Sequence, residues 1–336
     1  MKINLNKISI ESIERNVKIS LNKDIEIPEL TYKYYYFNSN SLNSIKNETI
    51  HFGHSFTMND LMDGNFLLWD FEDFLLDYMK ERNLDMNFKE FYHKNLIRTI
   101  SRDFLKHIGY FCLCENFHND LLWTHYTNER GLCVEYNTKE LLENFKSLQM
   151  YFVPINYDEL KQINFKKNSL KTIKNNKVNI EANIPLFYSL VNKEKFWSYE
   201  KEWRIIVRDE KFDSVSHPLE FNIEQILEFE YDAIKNRNLK INDNCINRII
   251  LSTYFFDNNR FDMSQENGNQ IIYKFKNNDG KANLKEFITI LMNRYNNKVY
   301  QVAKYLENGK VIRNIKYKIE FLRITENYCE IERNFC

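Results

Sequence analysis

YEKEWRIIVRD, residues 199–209, alternates charged and apolar side chains at the two-residue period of a β-strand. In such a strand, Glu200, Glu202 and Arg204 project from one face, and an apolar row that begins at Trp203 projects from the opposite face. Burying a row of charged groups costs free energy unless the groups pair with one another or line a cavity. The stretch therefore predicts a sheet that carries a polar site.

Two interpretations of this polar row are open. In the first, Glu200, Glu202 and Arg204 line a cleft that holds a ligand hydroxyl or stabilises developing positive charge, and Lys193 and Trp197 close it from the preceding helical turn. In the second, the same side chains form a Glu–Arg network that ties the sheet to a neighbouring helix. The residue types alone favour neither.

A second concentrated stretch is LLWTHYTNERGLCVEYN, residues 121–137. It predicts a helix, then Gly131 in the left-handed conformation just past the helix end, then a strand. Trp123 and Tyr126 share one side of this helix and are typical of a protein core. His125 has no partner at metal-ligand spacing and is typical of a hydrogen-bonded structural residue. The alternative interpretation is that the helix forms one wall of a site.

The third stretch, HFGHSFTMNDLMDGNF at 51–66, places Asn59 and Asp60 in a polar loop after a predicted strand, a common position for a binding loop. Its two histidines lack metal-ligand spacing, so no metal is predicted. The chain contains no Walker A, GxGxxG or GxSxG sequence, which argues against P-loop, Rossmann and α/β-hydrolase folds.

Composition indicates a globular protein. Of the 336 residues, 43% are apolar, and 26 Phe with 21 Tyr provide bulk for a core. Lys plus Arg and Asp plus Glu both number 47, so the net charge is zero. The overall charge therefore does not indicate binding to nucleic acid or to an anionic membrane. The N-terminus lacks an apolar signal region, and no apolar run approaches the ~18 residues that span a bilayer. The six cysteines include no CxxC pair and are expected to be reduced thiols of a cytoplasmic protein.

Helical and strand patterns follow one another without regular alternation, which predicts an α+β fold with a mixed, mainly antiparallel sheet. A helical insertion is expected at about 66–108. The Lys- and Asn-rich residues 158–180 are expected to be a solvated helix or a mobile insertion, and the stretch 182–197 is expected to be helical after Pro185.

Three ordered blocks resemble the bacterial DUF2971 family. Residues 32–60 resemble its opening Tyr-Lys-Tyr-Arg strand and Phe-Asn-Asp-Pro loop, and residues 109–136 resemble its Ser-Leu-Ser strand followed by Trp-Ser-His-Tyr-Ala and Gly. KFWSYEKEWRI, residues 195–205, is similar to its Lys, Trp, Tyr-Glu-x-Glu-x-Arg block. The resemblance implies one domain over 30–320, with 1–29 as an N-terminal extension and 321–336 as a C-terminal tail.

The chain also departs from the family pattern. Tyr35 stands where the family has an Arg, and Cys112 and Cys114 stand where it often has Ser. Any role that needs that Arg or those hydroxyls is therefore in doubt.

The family name records an unknown function, but its members occur among bacterial stress and phage-defence genes, which implies a toxin or another effector. A further likeness is to ADP-ribosyltransferases, because the chain order of Tyr34–Tyr36, Cys112–Cys114 and Glu200–Glu202 matches the order of their motifs. This likeness implies NAD as substrate and a fold like theirs. Glu202 would stabilise an oxocarbenium-like state, Glu200 would orient or deprotonate a protein or nucleic-acid acceptor, Arg204 would pair with Glu202 or the pyrophosphate, and His125 would bind ribose or phosphate. The implied substrate-binding residues are Tyr34, Tyr36, Asn59, Asp60, Trp123, Tyr126, Lys193 and Tyr199.

Two other functions stay open. One is a nucleotide-sensing or protein-interaction module that works with a defence-system partner protein and uses the same cleft without turnover. The other is a metal-dependent nuclease in which Asp60, Asp63, Glu200 and Glu202 bind Mg²⁺ and the Lys-rich 166–177 segment contacts nucleic acid. No membrane partner is expected.

Overall fold

A computed structural model describes residues 1–13, 16–55, 58, 60, 62–105, 107–174, 177–212 and 237–336; the side chains of 97–104 and 170–181 fall outside this description. The chain divides into two compact units, and each is assembled from three pieces of the chain. Unit 1 comprises Met1–Ile27, His51–Cys112 and Lys146–Leu239, and unit 2 comprises Pro28–Ile50, Leu113–Phe145 and Lys240–Cys336.

Within the described ranges the chain forms both helices and many short strands. The α-helices are α1 (Ser39–Asn47), α2 (Glu72–Glu81), α3 (Lys89–Leu105), α4 (Asp120–Thr127), α5 (Thr138–Asn144), α6 (Phe165–Asn168), α7 (Asn183–Val191) and α8 (Lys281–Ile290). Short 3-10 helices span Phe66–Leu68, Met86–Phe88, Lys195–Glu200, Asp243–Cys245 and Asn296–Lys298, and a π-helical turn spans Leu291–Tyr295. The strands are β1 (Lys2–Asn4), β2 (Ile8–Ile13), β3 (Asn16–Leu21), β4 (Leu30–Tyr35), β5 (Thr49–His51), β6 (Trp69–Asp70), β7 (Ile108–Cys114), β8 (Leu132–Asn137), β9 (Gln149–Pro154), β10 (Ile163–Asn164), β11 (Leu170–Lys174), β12 (Lys177–Glu181), β13 (Glu202–Arg208), β14 (Asn238–Lys240), β15 (Ile246–Leu251), β16 (Phe261–Asn267), β17 (Gln270–Phe275), β18 (Val299–Glu307), β19 (Lys310–Ile324) and β20 (Tyr328–Phe335).

In unit 1, β13 lies between β7 and β9. It pairs antiparallel with β9, from Trp203 opposite Pro154 to Arg208 opposite Gln149. Every residue of β13 except Arg208 is buried. Helix α7 is also buried along eight of its nine residues, which is typical of a helix inside a core. The charged start of β13 therefore lies in an apolar interior.

The remaining core of unit 1 comes from its N-terminal sheet and from α2. Strands β1, β2 and β3 form an antiparallel sheet, and Ile8 and Ile10 of β2 are completely buried. Helix α2 buries Phe74, Leu75 and Met79, so one side of this helix packs into the core.

Two local predictions in unit 1 are wrong. In the Lys- and Asn-rich 158–180 segment, expected to be a solvated helix or a mobile insertion, β11 and β12 form an antiparallel pair, so the solvated helix is wrong. Thr172, Ile173, Val178 and Ile180 are β-branched, and this local preference prevails over the polar composition. The helix expected after Pro185 and up to residue 197 instead begins at Asn183 and ends at Val191, and a 3-10 helix follows from Lys195.

In unit 2, the strand order is β16-β17-β20-β19-β18-β15-β8-β4. Neighbouring strands are antiparallel except β15 and β18, which run parallel. The chain reverses between β18 and β19 at Asn308 and Gly309, whose φ values of 50° and 75° suit a tight hairpin turn. The predicted α+β class with a mixed, mainly antiparallel sheet is thus confirmed. No helix in the described part of the chain is both long and apolar enough to cross a bilayer.

Candidate functional site

Five charged side chains meet in the interior of unit 1 and form what we call the Arg204 network. Its members are Asp63, Lys193, Glu200, Glu202 and Arg204, and none is more than 5% exposed. Buried charges persist only when they are paired and hydrogen-bonded. The geometry of each pair therefore decides what the network can do.

Arg204 is the centre of this network. Its Nε donates to Glu202 Oε1 at 2.6 Å, and its Nη2 donates to Asp63 Oδ2 at 2.8 Å. Its Nη1 donates to the Leu190 carbonyl in the last turn of α7 at 2.7 Å. The guanidinium also lies 4.8 Å from the ring centroid of Tyr110. Arg204 therefore joins β13 to α7 and to the loop that carries Asp63.

Lys193 provides the second cation. Its Nζ donates to Glu200 Oε2 at 2.7 Å and to Glu202 Oε2 at 3.1 Å. Because Arg204 holds Oε1 of Glu202 and Lys193 holds Oε2, each oxygen of that carboxylate faces its own cation. The Cys112 thiol adds a further hydrogen bond to Glu202.

These contacts fix the charge states. Burial opposes ionisation of Glu202, but Arg204 and Lys193 outweigh it and hold the pKa of Glu202 below its usual value. Burial likewise opposes the charge of Lys193, but the surrounding carboxylates raise its pKa. For Asp63 the balance is reversed, because burial raises its pKa against the opposing field of Arg204. Glu202, Lys193 and Arg204 are accordingly charged at neutral pH.

Glu200 is not on the strand, contrary to the sequence prediction. Glu202 and Arg204 do share one face of β13, as expected. Glu200 instead ends the 3-10 helix, and Lys201 follows with φ 44° in the left-handed conformation. Glu200 reaches the network through Lys193, which itself lies beyond the end of α7. Four predicted residues therefore meet in the structure, but Glu200 does so from the 3-10 helix and not from the strand. The four are Lys193, Glu200, Glu202 and Arg204.

Asp60 shapes the loop that presents Asp63. Its Oδ1 accepts from the Met62 backbone N–H at 2.9 Å, and its carbonyl accepts from the Asp63 N–H at 3.1 Å. Asp60 is buried, so its carboxylate is part of the loop rather than a surface ligand group. Asn59, the other predicted loop residue, lies outside the described residues.

Trp123 has a core position in unit 2. It is completely buried, and its Nε1 donates to the Phe117 carbonyl at 2.6 Å. The ring of Tyr34 meets it edge-on at 5.1 Å, and the Arg313 guanidinium lies 5.3 Å from its ring centroid. Trp123 is thus packed against Tyr34 and Arg313 in the interior of unit 2.

Arg313 was missed by sequence reasoning. Its Nε donates to Asp120 Oδ1 at 2.6 Å, and its Nη1 and Nη2 donate to the two carboxylate oxygens of Glu129 at 2.9 and 2.6 Å. A bidentate Arg–carboxylate pair is a strong, directional contact. Arg313 thus fixes both ends of α4 and covers Trp123.

The other residues predicted in unit 2 take varied positions. His125 is exposed on α4 and Tyr126 is half-buried. Tyr34 is 5% exposed and donates to the Asn116 carbonyl at 3.2 Å, whereas Tyr36 is 51% exposed. Tyr34 and Trp123 are the predicted pair that the structure brings into contact here.

Gly131 does not end α4 as predicted. Asn128 takes the left-handed conformation at the helix end, with φ 51°. Gly131 is required for a different reason, because a Cβ at this position would lie 2.1 Å from the Tyr35 carbonyl oxygen. The glycine permits a close approach of two backbone segments.

Comparison with known proteins finds a family model that matches part of the chain. The model of DUF2971, described as a protein of unknown function, matches residues 122–205. No curated protein and no solved structure matches the chain. In the described part of the chain, no group of three or more His, Cys, Asp or Glu side chains is placed to hold a metal ion. The matched range contains both Trp123 and the charged start of β13, so over this range the chain is similar to the DUF2971 family.

Proposed function

We propose that the chain is a ligand-sensing module that binds without turnover. In this proposal it acts in the bacterial cytoplasm, within a stress or phage-defence system and beside a partner protein of that system. One observation carries the proposal: both oxygens of Glu202 are held by buried cations of the protein itself. A carboxylate that stabilises a transition state must instead face the reacting atoms.

Opening the network to a substrate is costly. Hydrogen bonds to charged groups contribute about 1.5–3 kcal/mol each, and Glu202 makes one to Arg204 and one to Lys193. Turning Glu202 away would also leave two cations buried without that partner. The arrangement therefore favours a rigid support over a catalytic carboxylate.

An NAD-using ADP-ribosyltransferase is the second candidate, and one contact favours it. The Cys112 thiol of β7 forms a hydrogen bond with Glu202 at the start of the neighbouring strand β13. The Cys112–Cys114 and Glu200–Glu202 motifs, which suggested a transferase, are therefore adjacent. In this candidate Glu202 would stabilise the oxocarbenium-like state after the network opens.

A metal-dependent nuclease is less compatible with the network. Lys193 already occupies the carboxylate oxygens of Glu200 and Glu202 that a Mg²⁺ ion would need. The ion would have to displace that ammonium group.

Incubation with NAD tests the proposal. Wild-type protein is mixed with NAD and with protein or nucleic-acid acceptors, and free nicotinamide is measured by chromatography. We expect no nicotinamide above the protein-free control. We also expect Glu202→Gln to lower stability by about 3 kcal/mol in urea titrations, because Arg204 and Lys193 lose their shared anion. Glu210→Gln, an exposed residue of the same unit, serves as the matched control and should have little effect.

The opposite result is equally definite. Nicotinamide release by the wild type that disappears in a folded Glu202→Gln protein would overturn the sensing module. It would establish the transferase candidate in its place.

A further inference from the structure

Three neighbouring aromatic side chains form an exposed surface on the 3-10 helix Lys195–Glu200, which we call the aromatic ledge. They are Phe196, Trp197 and Tyr199. Phe196 is 61% exposed, and Trp197 and Tyr199 are half-buried. The ring centroids are 4.7 Å apart for Phe196 and Trp197 and 6.1 Å apart for Trp197 and Tyr199. The ledge thus offers adjacent π surfaces, one of them largely open to solvent.

The Arg204 network holds this ledge in place. The Lys193 ammonium lies 4.6 Å from the ring centroid of Trp197, a favourable cation–π position. Lys193 is itself fixed by Glu200 and Glu202. The binding surface of the aromatic ledge is therefore preorganised, which lowers the entropic cost of binding a ligand.

The charge around the ledge suits an anion. Lys195 and Lys201 lie before and after the three aromatic residues in the chain, and both are exposed. The Glu200 carboxylate, which lies between them in the chain, is neutralised by Lys193. The segment therefore combines flat apolar rings with two exposed lysines, and the half-buried Glu194 precedes Lys195 in the chain.

We propose that the aromatic ledge binds a free nucleotide, with the base stacked on Phe196 and the phosphates beside Lys195 and Lys201. This inference rests on the proposed sensing function and names its ligand. Base–aromatic stacking tolerates every base, since each has a π face. A nucleic-acid strand fits less well, because the chain carries 47 basic and 47 acidic residues and no net positive charge.

Tryptophan fluorescence provides a local readout. Trp69, Trp123 and Trp203 are at most 3% exposed, so stacking on the ledge should quench mainly Trp197. ATP, AMP, adenosine and a single-stranded oligodeoxythymidine are titrated separately. We expect saturable quenching by ATP and AMP, and tighter binding of ATP than of adenosine because of the two lysines.

Two substitutions test the placement. Phe196→Ala should weaken ATP binding between about 5-fold and about 150-fold, the usual range for losing one stacked base. Phe91→Ala is the matched control, because Phe91 is 60% exposed in the same unit and also contacts a neighbouring ring. Lys195→Gln should weaken ATP binding more than adenosine binding.

The inference is overturned if Phe196→Ala and Phe91→Ala both bind ATP with the affinity of the wild type. It is also overturned if no mononucleotide binds, or if only the oligonucleotide binds. Its failure differs from failure of the sensing function. Nicotinamide release with Phe196-dependent ATP binding would overturn the sensing function alone. If neither nicotinamide release nor ATP binding is observed, the nucleotide inference alone is overturned.

Discussion

Replacing Arg204 by Met keeps a long unbranched side chain but removes the cation that Asp63 and Glu202 share. We expect this substitution to be among the most destabilising single changes in unit 1. Arg204 is completely buried, so water cannot compensate for the lost contacts.

The magnitude follows from the contacts. Arg204 makes two hydrogen bonds to carboxylates and one to the Leu190 carbonyl, at 2.6 to 2.8 Å. Removing one member of a buried ion pair costs about 3–5 kcal/mol, because the partner stays buried without its countercharge. Asp63 limits this cost by taking up a proton, since burial already raises its pKa. Glu202 keeps Lys193 as a partner. We therefore expect a loss of about 3–5 kcal/mol for Arg204→Met.

Urea titration followed by circular dichroism and tryptophan fluorescence measures this loss. Arg208→Met is the matched control, because Arg208 lies on the same strand but is exposed. It should change the free energy of unfolding by less than about 0.5 kcal/mol. The urea dependence of the free energy should stay constant in both variants. Equal urea midpoints for Arg204→Met and Arg208→Met would refute the view that the network stabilises unit 1.

Alkaline pH should destabilise the protein, because burial raises the pKa of Tyr295 from 10.0 to about 12 and that of Tyr136 well above 10.0. Above pH ~10 the unfolded chain loses these protons while the folded chain keeps them, so the free energy of unfolding falls as the pH rises until the folded pKa of each tyrosine is reached. Urea midpoints at pH ~9 and ~11 measure the effect, and equal midpoints would contradict it. Gly131→Ala should cost several kcal/mol by forcing Tyr35 away, whereas Gly280→Ala, whose nearest contact would be at 3.5 Å, should be nearly neutral. Thermal unfolding compares the two, and equal melting temperatures would show that the backbone accommodates the extra methyl group.

Local patterns predicted the parts of the site that are local in the chain. The two-residue period placed Glu202 and Arg204 on one face of a strand, and their burial made pairing necessary. Both alternatives drawn from that pattern required contacts with other segments. The pattern could not show that Arg204 pairs with Asp63, because the two lie 141 positions apart. In the same way, Arg313 lies 193 positions from Asp120, and nothing near either residue marks the pair.

Several elements were also beyond the reach of sequence patterns. β16 is exposed along all of its residues after the first, so it shows no alternation that would predict a strand. The 3-10 helix before β13 begins at Lys195 and contains the aromatic residues Phe196 and Trp197, which are equally compatible with an extension of α7 or with an earlier start of β13. Packing against the buried charges decides between these conformations.

The two compact units have a practical consequence for experiments that cut the chain. The 122–205 segment recognised by the family model belongs to unit 2 up to Phe145 and to unit 1 from Lys146. Expressed alone, it would carry Arg204 without Asp63 and Trp123 without Arg313. The matched segment and the compact units therefore have different boundaries, so a deletion variant cut at residues 122 and 205 would lose these contacts as well as any activity.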